Sequence, residues 1–251
     1  ATLIVYHSSK CLKMLQCSYC MIDIKSHVKG AFGIYIVYVL TFAIGIMYWK
    51  HYTFGYVLLV LLLKGVLIFI VSLFGLAFSK ELDFEPLSLA RNIKNVKKVG
   101  IWIGTTFIMF VIITFVASIT SMVMYPISTN ILHETFPSES FFETHFEGPP
   151  FFAVFLLLFA GAGIAEEVLF RLFAVNVIWY YTKNAKIAIV VSSIIFGLYH
   201  LTPLNSLHEI FWEYPFFQVT TCTIAGILLA YTYKKLGFES VVIIHTFLNI
   251  F

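Results

Sequence analysis

The sequence predicts an all-α fold, a polytopic transmembrane helical bundle of about seven to eight spans, and three observations carry that prediction. Of the 251 residues, 60% are hydrophobic and only 12% charged, against roughly a quarter charged in an average soluble domain. Apolar runs long enough to cross a bilayer recur from Ala31 to the C-terminus, with short polar breaks between them. The basic residues gather in alternate breaks, the pattern of cytoplasmic loops.

The elements follow in order. Residues 1–30 read as a cytoplasmic N-terminal segment with Lys10, Lys13, Lys25 and Lys29, and no cleavable signal peptide is expected. A hydrocarbon core of about 30 Å takes roughly 20 helical residues at about 1.5 Å each. Stretches of that order run over 31–49, 54–78, 99–125, 151–181, 186–200, 216–233 and 238–251. Residues 31–149 thus hold the N-terminal transmembrane helices. The fourth stretch is long enough to tilt, kink or split, and splitting it makes eight spans. Lys80, Arg91, Lys94, Lys97 and Lys98 follow the second span, Lys183 and Lys186 the fourth, and Lys234 and Lys235 the sixth. Seven spans with a cytoplasmic N-terminus put all of these inside a cell membrane. Glu134, Glu139, Glu143, Glu147, Glu209 and Glu213 then lie outside with Lys50, so one long, broken fourth helix is preferred to two crossings.

The net charge of +3 comes from lysines at span ends, which suits lipid headgroups; no nucleic-acid signature is present. Cys17 and Cys20 form a lone CxxC without a second pair at metal spacing, so these cysteines and Cys11 and Cys222 are expected as reduced thiols. The loop from Pro126 to Pro150, with Phe136, Phe141, Phe142 and Phe146 and then Phe151 and Phe152, reads as an interfacial lid or an anchor.

Charged side chains cost at least about 2.5–3.5 kcal/mol each inside a bilayer and call for partners or a function. Glu166, Glu167 and Arg171 interrupt the fourth stretch, Lys64 stands in the second and His200 ends the fifth. Glu167 and Arg171 are spaced as a helical ion pair with the acid first. Glu166 lies about 100° further round, free to accept a proton or bind a cation. Phe196 and His200 share one helix face, as do His245 and Asn249. From the cytoplasmic lysines at about 1.5 Å per residue, Glu166 is roughly 25 Å deep, His200 and Asn249 roughly 20 Å and His245 roughly 15 Å, so one mid-membrane site can hold all four. Lys64 reads as a packing residue hydrogen-bonded within the bundle, with a sharper alternative as a sensor of a substrate's C-terminal carboxylate.

The ordered set Glu166-Glu167-x-x-x-Arg171, Phe196-x-x-x-His200 and His245-x-x-x-Asn249, in the contexts AEEVLFR, SSIIFGLYH and TIAGILLAY, resembles the three motifs of the CAAX-protease and bacteriocin-processing family, also called the Abi family. The resemblance covers residues 150–251; Leu172 departs from the glycine that many members carry after the arginine. It implies a catalytic helical core, an intramembrane endopeptidase, and a membrane-associated peptide or protein substrate of the CAAX, bacteriocin or pheromone kind. It further implies that Glu166 activates water with help from His200, that His245 and Asn249 bind the oxyanion or a metal, and that Glu167 and Arg171 support them. Two mechanisms stay open. In one, zinc or another divalent metal held by Glu166, His200 and His245 lowers the pKa of its water to about 7. In the other, Glu166 is the base and no metal takes part. The family's naming favours the metal, although His-x-x-x-Asn lacks the second histidine of a zincin motif. No serine-protease elbow is present. A membrane immunity or scaffold protein and a proton-coupled transporter are the rival readings.

Overall fold

A computed structural model describes residues 27–48, 54–137, 150–205 and 207–250. The CxxC segment, Lys50, the acidic positions 139, 143 and 147, and the phenylalanines at 141, 142 and 146 lie outside the described residues.

The described chain is helical, and its elements follow the apolar runs. They are α1 (Val28–Met47), α2 (Phe54–Glu81), short α3 (Ser88–Asn92), α4 (Val96–Asn130), α5 (Phe151–Thr182), α6 (Ala185–Tyr199), short α7 (His208–Phe211), α8 (Pro215–Leu236) and α9 (Phe238–Leu248). Side chains such as Leu58, Leu62 and Leu63 on α2, and Ile103, Phe107 and Phe115 on α4, remain exposed. Helices apolar all round with such outer faces need lipid rather than water against them. The chain is a multi-pass membrane protein.

Boundaries moved where capping and lipid decided them. Asn95 accepts a hydrogen bond from the Lys98 N–H and starts α4 earlier than the apolar run. The same helix continues through Pro126 to Asn130, because leaving the helical ladder in lipid would strand backbone groups. Asn184 caps α6 through the amides of Lys186 and Ile187, after a left-handed turn at Lys183. Gly237, at φ 93°, makes the tight turn from α8 to α9, and a Cβ there would lie 2.6 Å from the Pro86 carbonyl oxygen.

The fourth stretch is one helix, as preferred, but its winding is not the α-winding assumed. Phe159–Glu166 and Val168–Val175 are π-helical, between α-helical ends. Small residues at 160–163 let neighbouring backbone close in: a Cβ on Gly163 would collide with the Thr246 hydroxyl and lie 3.2 Å from the Val242 carbonyl oxygen of α9. Gly161 faces open space. Gly163→Ala is therefore expected to cost about 1–3 kcal/mol and to lower the thermal midpoint in detergent, whereas Gly161→Ala leaves it unchanged or slightly raised.

Among the described residues, five helices are long and apolar enough to cross a membrane, and α6 and α9 are shorter. At about 1.5 Å per residue, α6 and α9 reach roughly 22 Å and 16 Å, short of the roughly 30 Å core. Both begin beside the basic ends, and their C-caps are His200 and Asn249. Hydrogen bonds tie those basic ends together: Ser88 Oγ to the Leu236 carbonyl, Trp102 Nε1 to the same oxygen at 3.2 Å, and the Phe238 N–H to Pro86 at 2.7 Å. At the opposite end, Glu134 caps α8 through the amides of Phe216 (2.6 Å) and Phe217 (3.2 Å). Phe136 stacks 4.8 Å from Tyr214 there, which holds the described start of the aromatic loop against the beginning of α8.

The core runs through both halves of the chain. α8 packs on α6 and α4, α1 and α2 pack on α5, and α9 lies against the first π segment. Asn176, fully buried, donates from Nδ2 to the carbonyls of Gly75 (3.1 Å) and Leu172 (2.8 Å) and lies 2.8 Å from the Tyr233 hydroxyl, locking α2, α5 and α8 together.

Candidate active site within the membrane

The two adjacent glutamates of α5 leave the helix in different directions. Glu167 is fully buried, and its Oε1 accepts a hydrogen bond from His245 Nδ1 at 2.6 Å. The same oxygen lies 3.1 Å from Arg171 Nη1, an ion pair by distance though not aligned as a hydrogen bond. The guanidinium stands 4.2 Å over the Phe196 ring, which disperses part of its charge. Glu166 is partly exposed, and its Oε2 lies 3.9 Å from His245 Nε2.

Phe196 is the hub of the arrangement. Its carbonyl accepts from His200 Nδ1 at 2.9 Å, and its ring lies 4.9 Å from the His200 ring and 5.6 Å from that of His245. With Nδ1–H of each imidazole given to an oxygen, the neutral tautomer of each leaves Nε2 with a lone pair. His200 Nε2 faces Cys222 Sγ at 3.8 Å, and His245 Nε2 faces Glu166. Asn249 Nδ2 donates to the His245 carbonyl at 3.0 Å, which uses one of its two hydrogens.

Glu166, His200, His245 and Asn249 all line one cavity of about 490 Å³. Glu167 stands behind it as the partner of His245, and Arg171 as the partner of Glu167. Four of the six expected residues thus face a common space, and the other two orient them. The irregular chain between α6 and α8 closes part of the cavity through Leu204, Asn205 and Leu207. Non-helical backbone at membrane depth is tolerated where it is buried in protein or lines a water-filled space; here it lines the cavity.

Among the described residues, no three His, Cys, Asp or Glu side chains come together as they would around a metal ion. Glu166, His200 and His245, the zinc set expected from the sequence, are not gathered to that spacing: His200 is turned toward Cys222, and His245 offers only Nε2, 3.9 Å from Glu166.

Cys222, Gln218 and Thr221 were not anticipated as site residues. All three line the cavity, and Gln218 Nε2 donates to Cys222 Sγ at 3.3 Å. Their signal in the sequence is a polar set spaced three and four apart within an apolar span. Lys64 also lines the cavity, and it corrects the packing reading: it is exposed and makes no hydrogen bond or ion pair among the described residues.

The geometry agrees with a comparison against protein families. Residues 148–251 match the family model described as Type II CAAX prenyl endopeptidase Rce1-like. No curated protein and no solved structure matches the chain.

Proposed function

We propose that this chain, whose residues 148–251 match the family model described as Type II CAAX prenyl endopeptidase Rce1-like, is an endopeptidase of the CAAX-protease and bacteriocin-processing kind that cuts a membrane-associated peptide or protein segment with water activated by Glu166. The observation that carries this reading is the cavity that Glu166 of α5, His200 at the end of α6, and His245 and Asn249 of α9 line together.

Each group has a task that its contacts permit. A water held between Glu166 and the lone pair on His200 Nε2 gives a proton to the Glu166 carboxylate as its oxygen attacks the peptide carbonyl carbon. The free N–H of Asn249 stabilises the developing oxyanion, and His245 contributes when its Nε2 carries a proton. Glu166 then returns the proton to the departing nitrogen as the C–N bond breaks, giving a carboxylic acid and an amine. Glu167, clamped by Arg171, fixes the orientation of the His245 ring, the part a carboxylate plays behind many functional histidines.

A bound divalent metal would polarise the carbonyl and acidify water. The chelator arm of the test decides that point. The substrate class is a CAAX-like, bacteriocin or pheromone precursor. The lysine distribution supports a cell-membrane orientation in which the basic ends of the bundle face the cytoplasm.

The test is cleavage of a peptide library by detergent-purified protein. Wild type is expected to cleave a subset of peptides, and His200→Ala to lower kcat/KM by about 10²-fold. A chelator is expected to leave the rate unchanged. Loss of activity with chelator and recovery with zinc would replace the glutamate–water mechanism with a metal one, and absence of cleavage by wild type across the library would overturn the peptidase reading.

A further inference from the structure

Among the described residues, Lys64 is the one lysine or arginine lining the cavity, and hydrolysis leaves it unused. It lies ten residues beyond the start of α2 at Phe54 and seventeen before its end at Glu81. At about 1.5 Å per residue those are roughly 15 Å and 25 Å of helix, further than a lysine side chain reaches toward either membrane surface. An ammonium in that position keeps its charge at a cost unless an anion joins it. None does among the described residues, since no carboxylate lies within ion-pair distance of Lys64 and no hydrogen bond ends on it. Its helix neighbour Gly65 packs against α1, where a Cβ would come within 2.9 Å of the Tyr35 ring. That close approach sets the rotation of α2 at this level and leaves Lys64 beside Tyr38 and Phe42 on the cavity wall.

We infer that Lys64 is an anion subsite that takes the free C-terminal carboxylate of the peptide whose bond Glu166 cuts; the inference rests on the peptidase reading above. The cavity, at about 490 Å³, lies in the range of pockets that enclose small ligands. An ammonium is a compact point charge with three donors, suited to a carboxylate that arrives at varied angles. The cation and the basic carboxylate of Glu166 share one cavity but come from different helices. A peptide held by its end at Lys64 therefore presents a bond at a set distance from that end to Glu166. A lipid phosphate offers the same charge, so the experiment separates the two sources.

The probe is a short apolar peptide with an N-terminal dye, made once as the free acid and once as the C-terminal amide. Its affinity is measured on the Glu166→Gln protein in neutral detergent, with and without an anionic phospholipid. The acid is expected to bind about 10- to 100-fold more tightly than the amide, the ratio of one charge-assisted hydrogen bond. Lys64→Met, added to the same background, should erase that ratio by weakening the acid alone, and Lys64→Arg should keep most of it. Equal binding of acid and amide, or a preference that survives Lys64→Met, overturns the inference. So does a phospholipid that competes with the peptide acid through Lys64 and abolishes its preference, which would assign the subsite to lipid. Should Lys64→Met fail to fold, the acid-to-amide ratio of the parent and of Lys64→Arg still decides. A preference that depends on Lys64 in a protein whose wild type cleaves nothing would sink the hydrolytic reading and leave the carboxylate subsite standing.

Discussion

Glu166→Gln is expected to lower kcat/KM for peptide cleavage by about 100- to 10 000-fold, the usual worth of a general base, with little change in thermal midpoint. Glutamine keeps the shape and hydrogen-bonding reach of the side chain but cannot take a proton from water. Stability should survive because the Glu166 carboxylate makes no hydrogen bond within the described residues and stands 3.9 Å from its nearest ionisable partner, His245 Nε2. Rates and melting curves are measured on the same detergent preparation. A variant that cleaves like wild type would remove Glu166 from the reaction.

The neighbouring residue should behave in the opposite way. Glu167→Ala is expected to cost about 3–5 kcal/mol of stability, because it leaves a buried guanidinium without its counter-ion. Arg171 is 1% exposed, its Nη2 already lacks a hydrogen-bond partner, and the loss of Glu167 Oε1 would leave it with the Phe196 ring and the unpaired Glu166 carboxylate nearby. The same change frees His245 Nδ1 from its 2.6 Å contact, so activity falls as well. The double variant Glu167→Gln with Arg171→Met separates the two effects. Removing both charges should recover most of the melting temperature, since replacing a buried pair with neutral groups is often tolerated, while the His245 ring remains poorly held and the rate stays low. A double variant no more stable than Glu167→Ala alone would show that the ion pair is not what Glu167 contributes to the fold. Adjacent glutamates that separate in this way, one in rate and one mainly in stability, are the sharpest check on the site.

The limits of the sequence reading show in particular residues. The pairing of Glu167 with Arg171 follows from a four-residue spacing on one helix, which is local and therefore visible. The contact of Glu167 with His245 joins positions far apart in the chain, and spacing carries no information about it. Comparable depth allowed Glu166, His200, His245 and Asn249 to meet, but depth alone allows many helix rotations. Cys222 could not be placed beside His200 for the same reason, because a lone polar residue on α8 points outward or inward according to how that helix packs on α6. Lys64 reads from the sequence as a packing residue because a lysine within an apolar span usually finds a hydrogen-bond partner, whereas the rotation of α2 leaves it exposed on the cavity wall.

The sequence by itself determined that this chain lives in a membrane, where its helices run, and which polar side chains stand where lipid would otherwise surround them. Those are properties of runs and of single residues, set by transfer from water to hydrocarbon and by backbone groups that must pair within one helix. Only the tertiary structure decided that α5 winds as a π-helix on either side of Glu167, that α6 and α9 are shorter than the other apolar helices, and that Lys64 shares a cavity with Glu166. Winding, length and rotation depend on what each helix packs against. Gly163 closing on Thr246 and Gly65 closing on Tyr35 are contacts between distant parts of the chain, and they settle which face of an otherwise uniform apolar helix becomes the wall of a site.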